Sequence, residues 1–493
     1  MTIATLLPNR ALIGGHWVEG RGGTIEVRSP HSGEVFNVVT RCDATDVARA
    51  VAAARAAQPG WAATPLVERV ELLRKVTALF VERAETIAQT ITTEMGKTIN
   101  ETLEEVYEYA APAYHRAAEE VLRHRGLTFP STQERSNAKR LVQTFRPIGV
   151  VAVIAPYNFP TDISSVAIAH AIASGNTVVW KPSEYTPTCC AMVAELFHDA
   201  GLPPGVVNFV PGLGDAGAAL VEHDDVDGVF FTGSTATGER ITSRAGLKRL
   251  LLELGGDGPQ IVLADADVDA AVEGAIVGCF YLAGQVCTSA ERLLVHEDVH
   301  DEFVAKLTAR AGQLKIGDPL DRATDMGPLC NEATLKRILE HVEDARAKGA
   351  EVTQFGPHEG LYYPATILTG VTTDMRIARE ETFGPVAPII KISSVDEAIQ
   401  IANSSELGLI ASLYTRDLAT AWRVGEALQH ATVNINETSN YWDQLAPFGG
   451  AKKSGIGREL SHWFLQTFTE SKLLVFDIGD KSASADRRGT GDW

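Results

Sequence analysis

Short apolar runs alternate with helical segments over most of this chain, and that alternation constrains the fold more than any other feature. Four runs rich in β-branched or aromatic residues, with helical patterns at 163–173 and 188–200 between them, occupy residues 149–154, 177–180, 206–210 and 226–231. A second set lies at 260–263, 293–295, 386–392, 410–414 and 432–435. Strands that alternate with helices indicate a parallel α/β architecture. The sequence therefore predicts two α/β units joined near Gly255 and Gly256.

The segments outside this pattern predict a helical N-terminal region, an exposed arm and a tail. Helical spacing of apolar residues occurs over residues 44–58, 65–80, 84–95 and 101–124. The last of these helices carries an acidic run, which we interpret as a solvated face and not as a metal site: Glu101, Glu104, Glu105 and Glu108. Residues 125–146 turn polar and predict a hairpin or arm. The Gly-, Ser- and Arg-rich residues 479–493 predict a disordered tail.

Charge and cysteine content exclude several classes of protein. The 493 residues include 44 Lys plus Arg against 63 Asp plus Glu, and the resulting formal net charge of −19 argues against nucleic-acid or acidic membrane partners. The chain shows no signal-peptide pattern and no apolar run of about 18 residues. Its six cysteines lack C-x-x-C spacing, so neither a disulfide scaffold nor a metal site is predicted. A reducing cytoplasm is the predicted compartment.

Two glycine-rich turns are candidates for phosphate binding. Gly212-Leu-Gly214-Asp-Ala-Gly217 matches a dinucleotide fingerprint, but no clear acidic residue closes a strand at the proper distance, and a turn before a helix is the better interpretation. The second turn, which includes Gly233, Ser234 and Gly238, ends a predicted strand and begins a helix. Helix N-terminal N–H groups and the helix dipole favour phosphate there, with a plain strand-to-helix turn as the alternative.

Cys287 and Glu253 are the candidate reactive groups. Cys287 lies in Gly284-Gln-Val-Cys287-Thr-Ser, a turn of small residues whose N–H groups can lower a thiol pKa and bind an oxyanion. Glu253 lies among leucines, where partial desolvation raises the pKa of a carboxyl toward that of a general base. The alternatives are a buried cysteine, as predicted for Cys279 and Cys330, and a salt-bridged strand carboxylate.

Seven motifs, in one order along the chain, resemble those of the aldehyde dehydrogenase superfamily. The resemblance covers roughly residues 10–478, and its motifs are Pro156-Tyr157-Asn158-Phe159-Pro160, Trp180-Lys181-Pro-Ser-Glu184, Phe231-Thr-Gly-Ser-Thr235, Glu253-Leu-Gly-Gly256, Gly284-Gln-Val-Cys287, Glu381-Thr-Phe383-Gly-Pro385, and Pro447-Phe-Gly-Gly450 followed by Ser454-Gly-Ile-Gly-Arg-Glu459.

This resemblance implies an α/β subunit of three parts. A Rossmann-like, NAD-binding domain would comprise residues 1–124 and 147–255, and an α/β catalytic domain residues 256–455. A small β oligomerisation arm would comprise residues 125–146 and 470–478. The resemblance also implies a homodimer or homotetramer that acts on a small-molecule aldehyde.

The resemblance further implies a role for each matching residue. Cys287 attacks the aldehyde, and the Asn158 amide and the Cys287 N–H stabilise the oxyanion that forms. Hydride then passes to the nicotinamide and leaves a thioester. Glu253 activates the water that hydrolyses this thioester. The implied cofactor contacts are Tyr157, Lys181, Glu184, Gly233, Ser234, Glu381 and Phe383. Glu184 would accept ribose hydroxyls and repel a 2′-phosphate, so NAD is predicted, with NADP as the alternative.

The substrate pocket follows only by approximate correspondence. Its candidates are Phe159, Asp162, Tyr281, Trp442 and Phe448, with Tyr107, Tyr109, Tyr441 and Asn436 as further candidates. Asp162 stands where larger apolar residues are common in the family, so a pocket-facing Asp162 indicates a polar or cationic aldehyde, and pairing with a neighbour is the alternative. No Arg adjoins Cys287 to hold an anionic substrate.

Three other functions compete with hydrolytic aldehyde oxidation. A CoA-acylating relative would resolve the thioester with coenzyme A, against which Glu253 argues. A thiol esterase would use Cys287 without redox turnover. A binding or structural homologue would have lost its chemistry, against which the presence of Cys287, Glu253 and Asn158 argues.

Overall fold

The computed structural model describes residues 8–132 and 138–479 and contains two α/β domains and a small three-stranded sheet. The first domain and the small sheet contain β1 (Ala11–Ile13), β2 (His16–Val18), β3 (Thr24–Arg28), β4 (Val35–Thr40), α1 (Ala44–Ala63), α2 (Leu66–Glu82), α3 (Ala84–Met95), α4 (Ile99–Glu104), α5 (Ala111–Val121), β5 (Thr128–Phe129), β6 (Lys139–Pro147), β7 (Val150–Ile154), α6 (Asp162–Ala173), β8 (Thr177–Lys181), α7 (Pro187–Ala200), β9 (Val207–Phe209), α8 (Gly214–Glu222), β10 (Gly228–Thr232), α9 (Thr235–Arg244) and β11 (Arg249–Glu253). A π-helical turn, Glu105–Ala110, joins α4 to α5.

The second domain follows directly. Its elements are β12 (Gly258–Val262), α10 (Val268–Phe280), β13 (Ala290–His296), α11 (Glu297–Ala311), α12 (Glu332–Ala347), β14 (Glu351–Gln354), β15 (Thr366–Thr369), β16 (Val386–Ile392), α13 (Val395–Asn403), β17 (Leu407–Gly408), β18 (Ile410–Tyr414), α14 (Leu418–Ala427) and β19 (Thr432–Ile435). The last elements of the described chain are β20 (Ala451–Lys452), β21 (Gly455–Ile456), α15 (Ser461–Thr467) and β22 (Thr469–Asp477).

An eight-stranded sheet forms the centre of the first domain. Its order is β2-β1-β9-β8-β7-β10-β11-β21, with β9 through β11 parallel and antiparallel strands at both edges. Strand β7 is buried along its whole length: Val150 and Ala152 pack with α1, α8 and α9, whereas Val151 and Val153 pack with α2, α5, α6 and α7. Parallel strands that are covered on both faces are continuously apolar, which is why these runs stood out in the sequence.

The second domain is built around a seven-stranded sheet. Its order is β14-β15-β16-β13-β12-β18-β19, parallel except for β14. Buried side chains from α10 to α14 complete its core, for example Phe303 of α11 and Ile338 of α12. Both α/β units of the sequence analysis are therefore present, and the strands at 386–392, 410–414 and 432–435 have the predicted bounds.

After the second domain the chain returns to the first. Strand β21 pairs antiparallel with β11, placing Gly455 opposite Glu253. Helix α15 then inserts Phe464 and Phe468 into the core of the first domain. Strand β22 pairs with β6 from Thr469 opposite Pro147 to Asp477 opposite Lys139, and β5 completes this three-stranded sheet.

Two helix predictions were wrong in extent. Helix α1 does not stop at residue 58 but continues through Pro59 to Ala63, because the buried Trp61 is anchored by its Nε1, which donates to the Ile172 carbonyl at 3.0 Å. The single helix predicted over 101–124 is divided into α4, the π-helical turn and α5.

Other predictions concern spans, metals and termini. No helix of the described residues is long and apolar enough to cross a membrane, and none of their His, Cys, Asp and Glu groups is arranged to hold a metal ion. The tail predicted for 479–493 lies, except for Gly479, outside the described residues, as do part of the predicted arm (133–137) and the first seven residues.

Candidate active site

Cys287 lies in a strained turn between α10 and β13. Just upstream, Leu282, Ala283 and Gly284 all have positive φ values, of 56°, 52° and 71°. The left-handed conformation costs about 1–2 kcal/mol for each residue that carries a Cβ, so the surroundings must hold it in place. One such contact is the Leu282 N–H, which donates to the buried carboxylate of Glu101 at 2.7 Å.

Two glycines allow the cysteine turn to pack against its neighbours. A Cβ on Gly256 would lie 1.9 Å from the Cys287 carbonyl oxygen, and a Cβ on Gly284 would lie 2.1 Å from the Gly384 carbonyl oxygen. Both distances are far below van der Waals contact, so only glycine fits at either position. The motifs Glu253-Leu-Gly-Gly256 and Gly284-Gln-Val-Cys287 thus meet in space.

Asn158 reaches the same turn from the end of β7. Its buried Nδ2 donates to the Gln285 carbonyl at 3.0 Å. Gln285 is fixed in turn, because its Oε1 accepts the Cys330 N–H at 3.0 Å and its Nε2 donates to the Leu282 carbonyl at 3.1 Å. An amide nitrogen carries two N–H groups, so one of those on Asn158 is left for another acceptor near Cys287.

A buried ion pair that the sequence analysis did not identify supports Asn158. The Lys97 Nζ pairs with Glu105 and also donates to the Asn158 carbonyl at 2.8 Å. Glu105 accepts the N–H groups of Thr161 and Asp162 at 2.9 and 3.0 Å, and the Thr161 hydroxyl at 2.7 Å. These contacts fix the segment between β7 and α6.

The predicted solvated face of the acidic run was therefore half wrong. Glu104 and Glu108 are exposed, but Glu101 and Glu105 are buried on the opposite side of the helical segment. The periodicity of the run separates the two pairs. Glu101 and Glu105 have nearby partners in Thr98 and Lys97, but the contacts that bury them also come from the distant Leu282 and Thr161, which the pattern does not show.

Glu253 ends β11 with its side chain buried, and no side chain of the described residues donates to its carboxylate. The Gly450 backbone N–H lies near enough to lower its pKa, but this effect is smaller than those that raise it. Burial, and next the negative charge of Glu459, raise its pKa well above the ordinary value. Burial and the charge of Asp162 raise the pKa of Glu459 to about 8. A carboxyl group whose pKa is raised, such as that of Glu253, can act as a base near neutral pH.

The Cys287 side chain is half-buried and close to several carboxylates. Burial raises the pKa of the thiol, and the negative charges of Glu253, Glu381 and Glu459 raise it further. Both effects favour the protonated thiol in the protein alone, contrary to the low pKa that its turn suggested. A positive charge brought beside it would favour the thiolate.

A cavity opens at Cys287 and contains most of the predicted substrate residues. It is lined by Phe159, Asp162, Ile163, Val166, Val286, Cys287, Thr288, Trp442, Gln444, Phe448, Glu459 and Leu460. Tyr281 is not among these lining residues, because its hydroxyl donates to Glu104 at 3.1 Å. Tyr109 packs on Trp442 with ring centroids 5.6 Å apart, and Tyr107 and Tyr441 are exposed.

Asn436 is also absent from this lining. Its Oδ1 accepts the Thr415 N–H at 2.9 Å, which ties the end of β19 to the neighbouring strand. The sequence analysis missed Glu459 as a lining residue, although this glutamate closes the last of the seven motifs.

A separate cleft of about 640 Å³ lies at the carboxyl ends of β7, β8 and β10. Its lining includes four of the seven residues predicted as cofactor contacts: Tyr157, Lys181, Glu184 and Gly233. Lys181 Nζ lies 3.3 Å from Glu184 Oε2. Ser234 is not part of the lining, since its hydroxyl caps α9 by accepting the Thr237 N–H at 3.4 Å.

The cleft also contains the glycine turn that the sequence analysis interpreted as a plain helix start. Gly214 and Gly217 begin α8 and line the cleft. They leave this wall without side chains, and no heavy atom lies within 4 Å of the position that a Cβ on Gly214 would take. A glycine wall, a carboxylate paired with a lysine and the start of α9 fit the phosphates and ribose of a dinucleotide.

Glu381 and Phe383 approach from the second domain. Glu381 accepts the Gly256 N–H at 2.9 Å, and burial raises its pKa to about 7. The Phe383 ring lies edge-on to Tyr157 with centroids 6.2 Å apart. Glu381 therefore lies next to the glycine that packs on Cys287, and Phe383 lies next to Tyr157 of the cleft, although neither residue is part of the cleft lining.

Comparison with known proteins agrees with this geometry. The model of the aldehyde dehydrogenase family matches residues 17–474. A glutarate-semialdehyde dehydrogenase of Pseudomonas putida KT2440 is 39% identical over 96% of this chain and 99% of its own length. The NADP(+) succinate-semialdehyde dehydrogenase of Escherichia coli K12 is 39% identical over 96% of this chain and 99% of its own.

The fold is likewise shared with solved structures. The betaine aldehyde dehydrogenase of Staphylococcus aureus in complex with NAD+ superposes with a TM-score of 0.93, at 33% identity over 97% of each chain. This chain belongs to the aldehyde dehydrogenase family. It is an oxidoreductase that oxidises an aldehyde to the carboxylic acid with a nicotinamide dinucleotide, as the sequence predicted.

Proposed function

We propose that Cys287, Asn158 and Glu253 carry the hydrolytic oxidation of an aldehyde in this protein, with NAD as the preferred cofactor. The observation that carries this proposal is the Glu253 carboxylate. It is buried with no side-chain donor among the described residues, and its charge is close enough to the Cys287 thiol to raise the thiol pKa. Such a group would be costly to keep unless it took part in the chemistry.

The first step begins when the Cys287 thiol loses its proton to solvent, and the thiolate sulfur then adds to the aldehyde carbon. The new C–S bond moves a negative charge onto the former carbonyl oxygen, and the second Asn158 N–H and the Cys287 backbone N–H stabilise that charge. When bound, the nicotinamide supplies a positive charge beside the thiol and the acceptor for the hydride. The residue left on the sulfur is an acyl thioester.

Glu253 serves the second half of the reaction. Its carboxylate takes a proton from a water molecule, whose oxygen attacks the thioester carbon. The C–S bond breaks, the acid leaves, and Cys287 is restored as thiolate. Because the pKa of Glu253 is raised, the carboxylate is a stronger base than an exposed glutamate.

Kinetics with two variants test these roles. Glu253→Gln should give one fast equivalent of NADH and then slow turnover, because the thioester forms but is not hydrolysed. Cys287→Ala should give no NADH, whereas Cys42→Ser, a buried cysteine outside the cavity, should retain turnover. Full steady-state turnover by Glu253→Gln would refute the hydrolytic role. Acyl-CoA as the product when coenzyme A is added would favour the acylating alternative.

NAD preference is supported by Glu184, which lines the cleft beside Lys181. A carboxylate there accepts hydroxyl groups and repels an added phosphate. A higher kcat/KM with NADP than with NAD would contradict the proposal.

The homodimer or homotetramer also belongs to this proposal. The β5-β6-β22 sheet has exposed apolar side chains that include Phe129, Leu473, Val475 and Phe476. Exposed patches of this kind favour protein–protein contact. Light scattering should give two or four times the 52.9 kDa chain mass, and a single-chain mass would contradict it. The cytoplasmic compartment stays a prediction.

Similarity alone does not identify the aldehyde. The P. putida relative is named for a semialdehyde that carries a carboxylate, and the S. aureus neighbour for one that carries a quaternary ammonium group. The charge at the cavity must therefore decide the substrate class.

A further inference from the structure

Two carboxylates in the substrate cavity lack partners. Asp162 and Glu459 both line the cavity, and their exposed fractions are only 7% and 8%. Asp162 Oδ1 and Glu459 Oε2 have no hydrogen-bond partner in the described part of the chain. A buried acceptor without a donor is costly, so a ligand that brings donors would be bound strongly at this place.

No basic side chain belongs to the lining of this cavity as the described residues form it. The positive charges of Arg116 and Lys97 act on Asp162, and Glu105 adds a negative charge. Lys97 is held by Glu105 and by the Asn158 carbonyl, and Arg116 Nη2 donates to the Glu108 carbonyl at 2.8 Å. The lining therefore has acidic groups and no fixed counter-ion.

Aromatic rings complete the environment. The Trp442 ring has its centroid 6.0 Å from that of Phe159 and 6.3 Å from that of Phe448, and all three residues line the cavity. Lys97 Nζ already lies 4.4 Å from the Phe159 centroid, so this ring has a cation against it in the protein itself. Aromatic faces attract cations by about 0.5–2 kcal/mol.

We propose that this cavity selects an aldehyde bearing a protonated primary or secondary amine, with Asp162 as the counter-ion of the ammonium group and Glu459 as a second acceptor. This inference rests on the proposed function, because it places the aldehyde carbon at Cys287 on the wall of the same cavity. A protonated primary or secondary amine has N–H groups that can donate to these two oxygens. A quaternary ammonium group has no N–H group.

The effect of burial on the pKa of Asp162 also supports this assignment. Burial raises the pKa of Asp162 to about 7, with the charge of Glu105 as the next cause. The positive charges of Arg116 and Lys97 lower this pKa but do not outweigh burial, so the carboxyl has room for a charge that arrives with a ligand.

The test compares aldehydes of similar shape and different charge. With wild-type enzyme and saturating NAD, 3-aminopropanal should have a kcat/KM at least tenfold above that of butanal, its neutral isostere. Succinic semialdehyde, which is anionic, should fall below butanal. If none of the three reduces NAD, the proposed function fails; if butanal or succinic semialdehyde equals or exceeds 3-aminopropanal, this inference alone fails.

A charge-removing variant locates the effect. Asp162→Asn should lower the ratio of kcat/KM for 3-aminopropanal to that for butanal at least tenfold. Asp443→Asn, which removes an exposed carboxylate next to Trp442, should leave the ratio within twofold. An unchanged ratio in Asp162→Asn would overturn the assignment.

A binding measurement covers the case in which Asp162→Asn does not fold. Propylammonium, which has the cation but no aldehyde, should inhibit butanal oxidation by the wild-type enzyme competitively. Tetramethylammonium should inhibit at least tenfold more weakly, because it has no N–H donors. Equal inhibition by the two ions, or none by propylammonium, would overturn the proposed hydrogen bonds.

Discussion

Replacing Lys97 by Met would test whether the buried pair under the active site orders Asn158. Neither the Lys97 nor the Glu105 side chain is exposed. The substitution keeps an unbranched side chain of nearly the same length but leaves Glu105 with three donors and no cation. It also removes the donor to the Asn158 carbonyl.

The expected losses of stability and of kcat follow from the burial of this ion pair. Leaving one member of a buried ion pair alone costs about 3–5 kcal/mol, a large part of the roughly 5–15 kcal/mol that stabilises a typical protein. Loss of one oxyanion donor costs about 100- to 1,000-fold in kcat, which sets the upper limit for an effect that acts through Asn158. The same substitution at the exposed Lys336, 3.9 Å from Glu340, should cost less than about 1 kcal/mol.

Urea denaturation and steady-state kinetics measure the two effects separately. The double variant Lys97→Met/Glu105→Gln should lose less free energy of unfolding than the sum of the single variants, because the two residues interact directly. In kinetics, adding Lys97→Met to Asn158→Ala should give little further loss of kcat. Additive losses of stability would refute the pairing, and a second full loss of kcat on the Asn158→Ala background would refute positioning through Asn158.

Three further predictions concern the site and its pH dependence. Gly256→Ala should lower kcat more than 100-fold, because its Cβ would meet the Cys287 carbonyl at 1.9 Å, and near wild-type turnover would contradict that packing. Glu184→Gln should raise the ratio of kcat/KM for NADP to that for NAD about tenfold, equivalent to about 1.4 kcal/mol; an unchanged ratio would show that this carboxylate does not select the cofactor. Because burial raises the pKa of Asp162 and Glu381 to about 7 and that of Glu291 to about 8, the folded state binds more protons than the unfolded chain, and the free energy of unfolding should fall between pH 6.5 and 8. Denaturation midpoints that rise over that interval would contradict this sign.

The sequence predicted the sheets well because their strands are buried on both faces. The bounds of β16 and β18 could be predicted to the residue, because mostly apolar runs of this length are typical of strands buried on both faces of a sheet. The same local signal failed for Glu101 and Glu105. Besides the nearby Thr98 and Lys97, their donors come from Leu282 and Thr161, so burial there depends in part on contacts between distant parts of the chain.

The candidate active site also contains residues that local sequence predicts and residues that it does not. Motifs located Cys287, Glu253 and Asn158, since each stands in a distinctive local sequence. They gave no role to Glu459 and Lys97, whose surroundings are set by tertiary packing, and they undervalued Gly214, because a glycine turn has the same sequence whether or not it borders a cleft.

The order of the chain has a consequence for how the protein is made. Phe464 and Phe468 fill the core of a domain whose parallel strands end at Glu253, some two hundred residues earlier. A ribosome that adds about 5–20 residues per second needs at least ten seconds to cover that interval. During this time the nascent first domain has an open groove where α15 belongs, so chaperones would meet an apolar surface that the finished enzyme never exposes.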